Sequence, residues 1–169
     1  MSLLIDYLAL CWFRHNPSDL FPSKKFVLHT IIFYLAIGMI VEFLIADVEG
    51  IIEVALRFIM ANVSIAALLF YIKQWTYYKQ LLTGIFVCEN LIMVLATATE
   101  AVYFILVRAH YQYAEEVSIA IAVLLVIWYL AIIAYILREM FEFKTGISWV
   151  LAFSYFVSTY GLPMMTMDM

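Results

Sequence analysis

The apolar run from Leu81 to Val107, LLTGIFVCENLIMVLATATEAVYFILV, limits this chain more than any other feature. About 20 apolar residues suffice for a helix to cross a bilayer, and this run exceeds that length while carrying two carboxylates, Glu89 and Glu100. A charged side chain at the centre of a span costs roughly 2.5–3.5 kcal/mol on insertion scales, so such groups face protein or water, not lipid. The two glutamates are eleven residues apart, about three helical turns. That spacing sets them on one stripe together with Met93, Ala96 and Tyr103. The remaining apolar runs have to be arranged around that stripe.

Composition supports a chain that lies wholly in the membrane. Hydrophobic residues make up 67% and charged residues 13%, against roughly a quarter charged in soluble domains, and mean hydropathy is +1.03. No stretch between the apolar runs is long enough for a soluble module, so one membrane domain is expected. The net charge of −4 and the lack of a basic stripe point away from nucleic acid as a partner. Cys11 and Cys88 are too few and too differently placed for a disulfide framework or a cysteine metal site. Cys88 reads as a small apolar filler.

In chain order, SLLIDYLALCWF (residues 2–13) is apolar but too short to span, and Asp6 interrupts it. No basic region precedes it and no small-residue cleavage site follows, so it is not expected to be a signal peptide. It reads as a helix lying in the interface, with Trp12 and Arg14 near the headgroups. The stretch RHNPSDLFPSKK follows, where Pro17 and Pro22 remove amide hydrogens and bias their predecessors away from helix. It is expected to be a stiff turn and a hinge, which closes an N-terminal unit at 1–25. Five spans then fill 26–163, at about 26–46, 51–72, 81–107, 117–137 and 147–163, with a short tail at 164–169. The turn at 47–50 is tight and acidic, and the loop KQWTYYK (73–79) mixes lysines with interfacial aromatics. Continuous apolar runs exclude a membrane barrel, whose strands would alternate. The predicted fold is therefore all-α: a polytopic integral membrane bundle of five transmembrane helices preceded by a short interfacial helix.

The basic residues set an orientation. With a cytoplasmic N-terminus, Arg14, Lys24, Lys25, Lys73, Lys79, Arg138 and Lys144 collect on one side, while Arg108 and the intramembrane Arg57 belong to the other. The positive-inside rule predicts that arrangement. Five spans would put the C-terminus opposite.

Depth then sorts the buried charges. Glu42 falls near the outer end of the first span, and Glu53 and Arg57 on the outer part of the second, one turn apart. Glu100 sits at a similar depth on the third. These four form a predicted intramembrane polar cluster, in which Arg57 can fork to two carboxylates. Such residues commonly tie helices together, for about 0.6–2 kcal/mol each, and the cluster reads first in that way. Glu89 is different, being in the inner half of its span with no basic residue at its level. Glu89, Asn90 and Asn62 form a candidate proton or cation site, with His29 as another partner for the carboxyl. No histidine has ligand spacing, so neither a metal nor a cofactor is expected. Ser154, Ser158 and Gly161 form a small-residue stripe, read as a packing seam. Phosphate loops, HExxH and a serine beside a base are all missing, so no catalytic residue is assigned.

The short apolar N-terminal segment, the turn NPSDLF and five closely spaced spans with short loops resemble the Yip family. That resemblance implies a five-span protein with a cytosolic N-terminus, from a family linked in eukaryotes to Rab GTPases and membrane traffic. The long polar N-terminal region of the eukaryotic members has no counterpart in this sequence, so Rab binding does not follow. No functional residue is carried over. The leading expectation is a non-enzymatic protein acting through helix contacts, as an accessory subunit of a membrane complex or a membrane-organising protein. Its partners would be the lipid bilayer and other membrane subunits or copies of itself. The alternative is a proton- or cation-coupled transport component using Glu89 and Glu100.

Overall fold

The computed structural model describes residues 3–45 and 50–167, and among these every regular element is helical. Helix α1 (Leu3–Ala9) runs into a 3-10 turn at Leu10–Trp12, and a second 3-10 turn at Pro17–Asp19 precedes α2 (Lys24–Ile45). Then come α3 (Gly50–Tyr71), α4 (Tyr78–Arg108), α5 (Ala114–Phe141) and α6 (Thr145–Phe156). A π-turn at Val157–Gly161 leads into α7 (Leu162–Met167). Four helices, α2 to α5, are long and apolar enough to cross a membrane.

The expected spans 26–46, 51–72, 81–107 and 117–137 fall on α2 to α5, and each helix starts before its apolar run does. Polar first turns explain this, because hydropathy marks only the apolar part of a helix. Ser23 caps α2, its hydroxyl accepting from the Phe26 amide at 3.2 Å. Glu115 and Glu116 lie in the first turn of α5 and Arg138 in its last, matching the helix dipole. Of the acidic turn expected at 47–50, only Gly50 is among the described residues.

The predicted fifth span, 147–163, lies within a longer and irregular helical stretch. α6 has 12 residues, and the chain stays helical through the π-turn and α7 as far as Met167. Residues 164–167, expected as a tail, therefore belong to a helix, and 168–169 lie outside the described residues. Pro163 supplies the physical reason for the irregularity, since it has no N–H to give to the carbonyl of Thr159 and its ring crowds that carbonyl. A widened turn just before it relieves the clash.

The N-terminal unit packs against the long helices. Tyr7, Leu10 and Cys11 are fully buried and share one core with α4 and α5. The Trp128 indole donates to the Cys11 carbonyl at 3.0 Å and the Tyr135 hydroxyl to the His15 carbonyl at 2.9 Å. Gln80 donates to the Ser18 carbonyl at 3.1 Å, and Tyr7 to that of Leu20 at 3.1 Å. The segment read as a hinge is thus fastened to two long helices. Trp12 and Arg14 are exposed, and the Trp12 ring meets that of Trp128 edge-on at 5.9 Å. The two cysteines are free and buried, with their thiols close together.

α4 is the axis of the bundle. Every residue from Gln80 to Asn90 is buried, as a helix surrounded on all sides requires. Beyond Asn90 the same helix loses its neighbours, and Phe104 and Ile105 are 67% and 64% exposed. α2 and α3 approach closely where they lack side chains. A Cβ on Gly50 would lie 2.4 Å from the Cβ of Glu42, and one on Gly38 would lie 3.1 Å from Val54.

Candidate functional site

The close approach at Gly50 brings the Glu42 side chain of α2 onto the face of α3 that carries Glu53 and Arg57. The Arg57 guanidinium lies 2.5 Å from Glu42 through Nη1 and 2.5 Å from Glu53 through Nη2. Its fork suits two carboxylates at once. The three side chains are 19%, 6% and 12% exposed for Arg57, Glu42 and Glu53, so this is a largely desolvated triad with an excess of one negative charge. The guanidinium also lies 4.9 Å from the centre of the Tyr160 ring, within cation–π range. Glu100, the fourth member of the predicted cluster, stays apart. It is half-buried on the C-terminal part of α4 and makes no hydrogen bond or ion pair with any described residue.

Tyr160 links this triad to the second carboxylate. Its hydroxyl donates to Glu89 Oε1, and the Tyr34 hydroxyl reaches the same oxygen at 3.5 Å. Glu89 is 0% exposed. Tyr129 of α5 faces the carboxyl as well, its ring 6.1 Å from that of Tyr160. Tyr155 of α6 adjoins Tyr129 on one side and Thr159 on the other. On the apolar side, Tyr34 and Phe86 stack at 4.7 Å, with Phe58 tilted against both. Groups from α2, α4, α5, α6 and the π-turn therefore converge on one carboxyl in the middle of the bundle. The π-turn contributes two successive residues, Thr159 and Tyr160, to this centre.

The hydrogen bonding of the chamber is incomplete. Glu89 Oε2, the hydroxyls of Tyr129 and Tyr155, and Thr159 Oγ1 are all buried without a hydrogen bond. Buried polar atoms are satisfied in the great majority of cases, so four neighbouring exceptions set this chamber apart from the rest of the core.

The other predicted members of this site are engaged elsewhere. Asn62 donates to the Phe58 carbonyl at 2.7 Å and accepts from Tyr78 at 2.8 Å. Asn90 donates to the Thr30 carbonyl at 3.2 Å, tying α4 to α2. One residue further along a helix points about 100° away, which is why Asn90 cannot share the chamber of Glu89. His29 is exposed and bonds to the Lys25 carbonyl at 2.6 Å. Among the described residues no group of three His, Cys, Asp or Glu side chains could hold a metal ion. The tyrosines are what sequence reasoning missed. Tyr favours membrane interfaces, so Tyr34, Tyr129, Tyr155 and Tyr160, deep within apolar runs, were the available sign of an internal acceptor.

Two clefts flank the centre. One of about 590 Å³ lies between α1, α2 and α4, with His29, Thr30 and Asn90 as polar residues among apolar walls. The other, about 360 Å³, lies between α3 and α6 and reaches α4 and α5. Ser64, Ser154, Ser158 and Tyr155 line it, so two residues of the predicted small-residue stripe, Ser154 and Ser158, border a cleft. No family model matches this chain, and neither a curated protein nor a solved structure matches it.

Proposed function

We propose that this chain is a non-enzymatic, multi-pass membrane protein in which Glu89 takes up and releases a proton as part of a coupled transport process. The observation that carries this reading is the set of four unpaired polar atoms around a fully buried carboxyl. A helix tie works best when all its bonds are made, because each buried unpaired polar group costs about 1–3 kcal/mol. A site that must change its protonation has to keep some of them open. The chamber favours a proton over a hydrated cation, since Glu89 lines neither of the two clefts and has no exposed surface. The same reading includes a fifth crossing made by α6, the π-turn and α7, and a cytoplasmic lysine-rich end as in the Yip-like arrangement.

The test is proton flux in proteoliposomes, measured together with thermal unfolding for wild type, Glu89→Gln and Glu89→Ala. Glu89→Gln is expected to keep the unfolding temperature and lose the flux, since the amide keeps the shape but cannot titrate. A Gln variant with wild-type flux beside a destabilised Ala variant would return Glu89 to the role of a helix tie. The accessory-subunit reading has its own support in Glu100, which a partner helix against the outer half of α4 would satisfy. Recovery of a stoichiometric membrane partner after gentle detergent extraction, lost in Glu100→Ala, would favour it.

A further inference from the structure

We propose that Glu89 exchanges its proton with one side only, through a relay of Tyr155 and Tyr129 entered from the α3–α6 cleft at the lysine-rich end of the bundle. This inference rests on the reading of Glu89 as a proton site and adds its route.

The cleft fixes the side. It is bordered by Tyr71, the last residue of α3, by Leu81 in the first turns of α4 and by Leu137 near the end of α5. Lys73, Lys79 and Arg138 flank these positions. From there the cleft extends along Leu151 and Ser154 to Tyr155 and Ser158, and no charged side chain lines it. Tyr155 is the one member of the central chamber that also borders the cleft. It is 7% exposed, and behind it Tyr129 is 3% and Glu89 0% exposed.

The groups that face Glu89 can be taken element by element: Tyr34 from α2, Arg57 from α3, Tyr129 from α5, Tyr155 from α6 and Tyr160 from the π-turn. Cys88 adjoins it in sequence and meets Cys11 of the N-terminal unit. These groups divide in two. Tyr34 and Tyr160 are committed to Oε1, and Tyr160 is in turn covered by Arg57 with its two carboxylates. Oε2, Tyr129 and Tyr155 instead face one another without a close hydrogen bond. The opposite side is therefore closed by a bonded ion cluster, while the cleft side offers an unbonded row of hydroxyls.

The transfer balances without charging either phenol. A hydronium ion in the cleft gives a proton to the Tyr155 oxygen as the hydrogen of Tyr155 passes to Tyr129. In the same concerted shift the hydrogen of Tyr129 passes to Glu89 Oε2. Both tyrosines end neutral, the carboxylate becomes a carboxylic acid, and water is left in the cleft. Release runs the same steps backwards.

The experiment is time-resolved infrared difference spectroscopy on the full chain in oriented proteoliposomes, with a pH jump on one side at a time. The Glu89 carboxylic band is the one that Glu89→Gln removes. The band is expected to follow pH on the lysine-rich side. Tyr155→Phe and Tyr129→Phe should slow its response by roughly a hundredfold, the scale of a lost proton-transfer group, with the amplitude unchanged. A second variant guards against misfolding: Ser158→Cys, responsive until an impermeant maleimide is added from the lysine-rich side and slow afterwards. A response driven from the opposite side, or phenylalanine variants at wild-type speed, would overturn the route while leaving Glu89 as a proton site. No titrating carboxyl band in wild type would overturn both. A one-sided, Tyr155-dependent response without transmembrane flux would support the route and count only against transport.

Discussion

Arg57 and Glu42 are the two side chains whose fates are most tightly bound. Removing the guanidinium leaves Glu42, 6% exposed, with no cation against it, and breaking a buried pair from one side typically costs about 3–5 kcal/mol. Arg57→Ala should therefore reduce the folded yield from membranes sharply, whereas Lys73→Ala, at an exposed position, should not. Equal monodisperse yields from the two variants in size-exclusion chromatography would refute the triad. Part of this site was legible in the sequence. The four-residue spacing of Glu53 and Arg57 places them on one face, and depth along the spans adds Glu42. Depth gives height but not direction around the bundle, so Glu100 was grouped with them although its half of α4 has few neighbours. The tyrosines around Glu89 lie at positions 34, 129, 155 and 160. Nothing in a single sequence indicates that such distant residues meet.

Backbone constraints decide the outcome at the level of elements. A methyl group on Gly50 would strike the Glu42 Cβ at 2.4 Å and its carbonyl carbon at 3.2 Å. Gly50→Ala is thus expected to push α2 and α3 apart and weaken the Arg57 pairs, destabilising by about 1–3 kcal/mol as overpacking does. The opposite effect is expected at the end of α5. Glu142 caps that helix at φ 53°, in the left-handed region, and is exposed. Glycine is at ease there, so Glu142→Gly should stabilise by about 1 kcal/mol, readable as a higher unfolding temperature in detergent. An unchanged or lower value would contradict the strained cap. The π-turn had a partial signature in the sequence, because Pro163 inside an apolar run forbids a regular turn before it. That the widened turn would supply both Thr159 and Tyr160 to the centre was not readable, since the extra residue changes which side chains face inward.

For the molecule as a whole, the four long spans followed from hydropathy, since helices are the only answer to continuous apolar runs in a bilayer. The seat of the N-terminal unit did not follow. A short apolar helix looks the same in sequence whether it lies among headgroups or docks on the end of a bundle. Topology is open to direct measurement through cysteines introduced at Thr76 and Gln112, read with an impermeant thiol reagent. The two are expected to be labelled from opposite sides, and labelling from the same side would break the proposed orientation. The N-terminal unit has a further consequence, for assembly. Its bonds from Trp128 to Cys11 and from Tyr135 to His15 join residues 117 and 120 positions apart. Its own partners are thus made long after it leaves the ribosome. Until α5 is in place, the N-terminal unit lacks the partners that Trp128 and Tyr135 supply. The first part of this chain to be synthesised is among the last to be seated, and a stalled or truncated chain would leave it exposed.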